Sequence, residues 1–123
     1  MIQSQNTEVT YTCKANYFHG TSSYGEIIIG DKAFEFYNEK IRKDYVQIPW
    51  GEIDEVVASV IFNKWISRFA IFTKSSGHFS FSARNNKLLL KEMQKYFDKD
   101  KMYKSQSIIS FIKSKITSLF NRK

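Results

Sequence analysis

The chain has 123 residues, of which 42% are hydrophobic and 16% aromatic, and its formal net charge is +7. This length is enough for one domain with one modest core, and the aromatic content excludes a disordered chain. Residues 1–100 hold 13 basic and 12 acidic residues, whereas residues 101–123 hold six basic residues and no acidic one. The excess positive charge therefore belongs to the C-terminal segment, which disfavours a nucleic-acid-binding body.

Cysteine and histidine are scarce. Cys13 is the single cysteine, so no intramolecular disulfide can form, and with His19 and His78 it makes no metal-binding pattern. The N-terminus lacks the basic start and apolar run of a signal peptide, and no stretch approaches the roughly 18 apolar residues that cross a bilayer. We expect a cytoplasmic protein that needs no metal or cofactor and does not span the membrane.

The first part of the chain reads as short β-strands. A strand is expected at 8–14, followed by a polar loop at 16–23. A hairpin follows, with strands at 24–29 and 33–37 about a Gly-Asp turn, and then a strand at 45–48 that Pro49 ends. Further strands are expected at 53–62, 68–73 and 78–82. About seven strands at this spacing predict a sandwich or small barrel.

Helical periodicity begins after these strands. Apolar residues recur at three- and four-residue spacing from Leu88 to Phe97, and Asn85 is placed as the N-cap. A charged link at 98–101 leads to a second helical pattern from Ser107 to Phe120. We therefore divide the chain into a β-body with a closing helix, residues 1–100, and a basic amphipathic C-terminal helix, residues 101–123.

The C-terminal helix is the main functional signal. Its apolar residues fall on an arc of about 120° that two lysines border, which favours docking to an anionic membrane surface or a partner over packing on the body in front of it. Packing between two copies of the chain remains an alternative. The docking residues are Ile108, Ile109, Ile112, Lys113, Lys115, Ile116, Leu119 and Phe120.

Several stretches between residues 24 and 71 carry a resemblance to a known family. They include YGEIIIGDKAFEFYN from Tyr24, DYVQIPW from Asp44 and KWISRFAI from Lys64. The chain resembles a bacterial family of unknown function that is encoded with mannose-class phosphotransferase permeases and described as mannose-operon regulators or phosphotransferase accessory proteins. Its order of elements also resembles the pleckstrin-homology-like roll, in which two bent antiparallel sheets are plugged by a helix.

The polar residues suggest no catalytic site. His19 and His78 are interpreted as ordinary surface histidines, because neither lies among the cations that a phosphoryl-accepting histidine needs. The acidic residues are expected on solvated strand faces and turns, with no acid–base pair among them; they include Glu26, Asp31, Glu35, Glu39, Glu52, Asp54 and Glu55. We expect that the protein is not an enzyme.

Two exposed side chains are candidates for an interface. Trp65 and Arg68 are expected at a turn between two strands, and tryptophan and arginine are enriched among residues that dominate interface energies. An equally weighted alternative is a structural role at the edge of the core, which is the preferred interpretation for Trp50.

Together these expectations describe a non-enzymatic accessory or regulatory protein of a mannose-class phosphotransferase system. It would bind the membrane-bound permease at the inner face of the cell membrane. Two alternatives stay open: a nucleic-acid-binding operon regulator, disfavoured because no helix-turn-helix is visible, and a homo-oligomer joined by the last helix.

Overall fold

The structure is a computed structural model that describes residues 3–41, 43–62 and 64–105. Its regular elements in chain order are β1 (Val9–Phe18), β2 (Ser22–Gly30), β3 (Ala33–Asn38), β4 (Tyr45–Pro49), β5 (Ile53–Ile61), β6 (Trp65–Thr73), β7 (His78–Ala83), α1 (Asn86–Met93) and β8 (Met102–Ser105). Single 3-10 turns, Trp50–Glu52 and Lys99–Lys101, precede β5 and β8. The predicted C-terminal helix, with its eight docking residues, lies outside the described residues.

The strands form one sheet in the order β4-β3-β2-β1-β7-β6-β5-β8. All neighbouring pairs are antiparallel except β5 and β8, which are parallel. The protein is therefore mainly β, as the sequence predicts. From β4 to β5 in this order, each strand runs opposite to its neighbour. The β5–β6 turn and the β3–β4 turn therefore lie at opposite ends of the sheet.

Several predicted elements are confirmed. The hairpin of β2 and β3 pairs Ile27 with Phe36 and Ile29 with Phe34, and β4 ends at Pro49. Asn85 caps α1, since its side-chain oxygen accepts a hydrogen bond from the backbone nitrogen of Leu88 at 3.1 Å.

The predicted polar loop at 16–23 is wrong in its extent. β1 continues to Phe18 and β2 begins at Ser22, so the chain reverses over residues 19–21 only. Ala15 is buried and Tyr17 packs against the core. Alternate residues of β1 therefore face the core, and this alternation extends the strand into residues whose polarity suggests a loop.

A short strand was not predicted. Met102–Ser105 forms β8, which pairs in parallel with Val56–Ser59 of β5. The sheet therefore extends to Ser105, beyond the expected end of the body at residue 100.

The core lies between one face of the sheet and α1. Phe34, Phe36, Phe69 and Phe81 are fully buried, and Phe81 contacts each of the other three rings at 5.0–5.8 Å between centroids. α1 adds Leu89, Leu90 and Met93 to the same cluster. The start of α1 is fixed by buried Asn86, which accepts from the Ala83 nitrogen and donates to the Ile66 carbonyl.

Trp50 packs at the edge of this core, as the sequence suggested. Its indole nitrogen donates to the Gly30 carbonyl at 2.9 Å, and its ring stacks on Tyr96 at 5.6 Å. The polar nitrogen of this side chain is thus hydrogen-bonded, and its apolar ring is packed against another ring.

Glu35 corrects the expectation that the acidic residues are solvated. It lies in β3 and is fully buried. Its carboxylate accepts hydrogen bonds from the Ser4 hydroxyl, the Gln5 backbone nitrogen at 2.8 Å and the Asn6 amide at 2.9 Å. It also accepts from the Tyr37 hydroxyl at 2.7 Å. Glu35 therefore ties the N-terminal segment to the sheet.

Asp31, in the β2–β3 turn, also holds the N-terminal segment against the sheet. Its carboxylate accepts hydrogen bonds from the Thr7 hydroxyl and from the backbone nitrogens of Thr7 and Glu8. These bonds, the Thr7 hydroxyl first, lower the pKa of Asp31 to about 2 because they stabilise the charged form. At Gly30 a Cβ would lie 2.5 Å from the Glu8 carbonyl oxygen, so only glycine permits the close approach.

Candidate docking surface

Phe62, the most exposed large apolar side chain of the described residues, lies at the β5–β6 end of the sheet beside two other exposed apolar side chains. Ile61, the last residue of β5, pairs with Trp65, the first residue of β6, and the Lys64 nitrogen donates to the Ile61 carbonyl at 3.0 Å. Phe62 follows β5 directly. We call Ile61, Phe62, Lys64 and Trp65 the hairpin tip.

The apolar members of the hairpin tip are exposed together. The exposed fraction is 84% for Phe62, 58% for Trp65 and 43% for Ile61. The Phe62 and Trp65 rings meet edge to face, with centroids 6.4 Å apart and planes 80° apart. Single exposed apolar residues are ordinary, but a contiguous exposed group is typical of a binding surface.

The backbone at Phe62 supports the same interpretation. Its φ is +54°, in the left-handed region that few residues other than glycine adopt. Such a conformation costs about 1–2 kcal/mol for a residue with a Cβ. Since Phe62 contributes little to the core, the cost is not offset by burial within this chain.

A positive charge accompanies the two rings. The Lys64 ammonium lies 5.2 Å from the centre of the Trp65 ring, a cation–π contact. The hairpin tip therefore combines two large apolar rings with a cation. This combination fits a partly apolar surface that carries negative charge, such as the headgroup region of a bilayer or the acidic rim of a membrane protein.

Comparison with known families identifies the chain. The family model described as "Domain of unknown function (DUF956)" matches residues 1–116. The chain belongs to the DUF956 family. The comparison with curated proteins gave no match.

Solved structures share the fold of this DUF956 chain, and one of them illustrates the similarity. It is the C-terminal domain of an unknown protein from Leishmania infantum, with a TM-score of 0.61 and 11% sequence identity. The similarity covers 71% of this chain and 82% of that one. At this identity it establishes a common fold and carries no function.

The two predicted interface residues of the DUF956 chain are exposed but do not come together. Neither lies in a turn, since both belong to β6. Trp65 is part of the hairpin tip, whereas the Arg68 guanidinium stacks 4.5 Å from the Phe18 ring on the body of the sheet. Trp65 therefore belongs to the hairpin tip, and Arg68 does not. Phe62 was missed, although the apolar pair Ile61-Phe62 just before the turn was a visible signal.

The last residue of β8 lies at the same end of the sheet as the hairpin tip. β8 runs parallel to β5 and pairs Ser105 with Ser59. Ile61 is two residues beyond Ser59, or about 7 Å along the strand. Ser105 therefore lies close to the hairpin tip.

The cluster of His19, Ser23 and Asp44 lacks the geometry of a catalytic triad. His19 Nε2 lies 2.7 Å from the Ser23 hydroxyl and 4.0 Å from Asp44, and Ser23 donates to Asp44 at 3.2 Å. Serine and carboxylate thus face the same ring nitrogen, whereas a catalytic triad places them on opposite nitrogens. Over residues 3–41, 43–62 and 64–105, no three His, Cys, Asp or Glu side chains form a metal site, and no helix is long and apolar enough to cross a bilayer.

Proposed function

We propose that this protein is a non-enzymatic accessory protein of a mannose-class sugar phosphotransferase system, which docks on the membrane-bound permease at the cytoplasmic face of the membrane. The observation that carries the proposal is the hairpin tip, where Phe62 and Trp65 are exposed beside Lys64. The resemblance of residues 24–71 to proteins encoded with such permeases supplies the identity of the partner.

Two weak attachments support docking at a membrane face. A single apolar anchor binds a bilayer marginally and reversibly, and stable attachment takes two signals. The hairpin tip is one signal and the basic segment that follows Ser105 is the other. Together they bring the protein to the membrane, where contacts with the permease add specificity.

The element order supports a pleckstrin-homology-like roll as the scaffold. Seven antiparallel strands, β1 to β7, precede α1, and β1 joins the β2–β4 half of the sheet to the β5–β7 half. In this scaffold α1 plugs one opening of the roll, and the β5–β6 hairpin is free to project from its rim.

Recruitment to permease-containing membranes tests the proposal. The full chain is mixed with membrane vesicles, cytoplasmic side outward, from cells that produce a mannose-class permease and from matched cells that lack it. We expect sedimentation with the permease-containing membranes to exceed that with the control membranes at least about tenfold, which corresponds to about 1.4 kcal/mol. Equal sedimentation with both membranes, or with neither, contradicts the proposal.

A further inference from the structure

A groove of the described chain lies beside the hairpin tip, shares Lys64 with it and suggests a function beyond the one proposed above. It has a volume of about 750 Å³ and runs along β5, between α1 on one side and β8 on the other. Its floor is apolar and is formed by Val56, Ala58, Val60, Ile66, Leu90 and Met102. Val56, Ala58 and Val60 alternate along one face of β5 and give the floor a length of about 13 Å.

Lysines border this floor on every side. Lys87 and Lys91, four residues apart, share one face of α1; Lys99 and Lys104 lie on the β8 side, and Lys64 lies at the hairpin tip. The described lining contains no Asp or Glu, and none of the five ammonium groups forms a salt bridge with a described carboxylate. Since residues 1–100 are almost balanced in charge, this is a local concentration of positive charge.

The position of the groove determines what conformation fits it. It lies over the face of the sheet, where the backbone groups of β5 already pair with β6 and β8. An extended peptide on this face would find no backbone partners. A helix satisfies its own backbone groups and can pack beside α1 as a second element of the same layer.

The charge of the groove determines what sequence fits it. An occupant with apolar residues towards the floor and carboxylates along both edges would meet Lys87 and Lys91 on one wall and Lys104 on the other. We propose that the groove binds an acidic amphipathic helical segment of a partner protein. The cations are spread along both walls, which suits carboxylates distributed along a helix better than the single headgroup of a lipid.

The C-terminal segment of this chain is a poor match for the same groove. Its apolar arc, as read from the sequence, is bordered by Lys113 and Lys115, and residues 106–123 contain no acidic residue. Docking this arc on the floor would place lysines against lysines, which is repulsive. A partner helix whose apolar arc is bordered by glutamates would not meet that repulsion.

A pair of designed peptides tests the inference on the full chain. Each has about 15 residues and leucines at helical spacing; in one the bordering positions are all glutamate, and in its twin all lysine. Binding is followed by NMR of methionine methyl groups, because Met102 lies on the groove floor whereas Met93 is buried in the core and serves as reference. We expect the glutamate peptide to shift the Met102 signal with a Kd of about 10–100 µM, and the lysine twin to leave it unchanged.

Charge reversal on the groove wall provides the matched control. Lys87→Glu with Lys91→Glu, both exposed on α1, is expected to weaken binding of the glutamate peptide at least about tenfold. Lys32→Glu with Lys74→Glu makes the same charge change at exposed positions outside the groove and is expected to leave binding within about twofold.

Four results would overturn the inference. The first is equal binding of the two peptides, and the second is an unchanged Met102 signal with the glutamate peptide. The third is binding of the lysine twin once residues 106–123 are deleted, which would assign the groove to the chain's own C-terminal segment. A monomeric anionic phospholipid that shifts Met102 where the glutamate peptide does not would assign it to lipid. None of these results depends on the permease, so failure here is distinct from failure of the proposed function.

Discussion

The double substitution Phe62→Ser with Trp65→Ser is expected to reduce binding to permease-containing membranes about 100-fold. Burying a large apolar side chain contributes about 1.5–3 kcal/mol. Phe62 and Trp65 are already partly covered by each other, so we expect a joint loss of about 3 kcal/mol, which corresponds to roughly 100-fold in Kd. The measurement is sedimentation with membrane vesicles over a range of protein concentrations.

A matched control lies at the other end of the sheet. Ile41 has the same exposed fraction as Trp65, 58%, and Tyr45 is 42% exposed, and both lie near the β3–β4 turn. Ile41→Ser with Tyr45→Ser also removes two exposed apolar side chains, with a smaller exposed area, and does not touch the hairpin tip. The Kd of this variant for permease-containing membranes should stay within about threefold of that of the unmodified chain, a difference of less than 1 kcal/mol. If both double variants lose binding equally, the hairpin tip is not the docking surface.

The same tip variant separates docking from self-association. If the exposed rings join two copies of the chain, the unmodified protein will be a dimer in solution and the Phe62→Ser, Trp65→Ser variant a monomer. If they face a membrane-bound partner, both proteins will have the same mass in solution. Sedimentation velocity without membranes distinguishes the two cases.

Glu35→Ala is expected to lower the free energy of unfolding by about 3 kcal/mol. The substitution removes the acceptor for the Ser4 hydroxyl, the Gln5 nitrogen, the Asn6 amide and the Tyr37 hydroxyl. A buried donor without a partner costs about 1–3 kcal/mol, although those near the surface regain water. Urea denaturation followed by tryptophan fluorescence measures the change.

Glu39 serves as the control for this substitution. Its side chain is exposed, and its carboxylate forms an ion pair with the Lys14 ammonium at 3.0 Å. Because an exposed ion pair contributes about 0–1 kcal/mol, Glu39→Ala should be nearly neutral. A free energy of unfolding for Glu35→Ala within about 0.5 kcal/mol of the Glu39→Ala value would show that the N-terminal segment is not held through Glu35.

The elements that sequence analysis predicted well have a clear local pattern of apolar residues and turn or cap residues. The β2–β3 hairpin is specified by the apolar runs that contain Ile27 and Phe34 and by the turn residues between them. α1 is specified by Asn85 and by apolar residues at helical spacing. In both cases local propensity and burial favour the same structure.

The elements that were missed depend on contacts distant in sequence. β8 has only four residues, too few for a period, and it becomes a strand because β5 offers it a free edge. Glu35 is buried because Ser4 to Asn6, some 30 residues earlier, supply its hydrogen bonds. No local pattern distinguishes such a glutamate from a solvated one.

The candidate site was predicted in part. Trp65 was selected from residue type and position near a turn, and the structure places it at the hairpin tip. Arg68 was selected by the same reasoning, but its guanidinium stacks on Phe18 of β1, a contact between strands that are not neighbours in sequence. Phe62 was missed because an apolar residue at the end of an apolar strand is ordinarily part of the core.

Docking through the hairpin tip requires Trp65 to enter a less polar environment when the protein meets the permease-containing membrane. The direct measurement compares fluorescence of the unmodified chain with that of Trp65→Phe, because Trp50, the other tryptophan, is held by Gly30 and Tyr96 in both proteins. We predict that permease-containing membranes shift the emission of the unmodified chain to shorter wavelength and leave that of Trp65→Phe unchanged. An emission spectrum of the unmodified chain that does not move while the protein is bound would contradict docking through the hairpin tip.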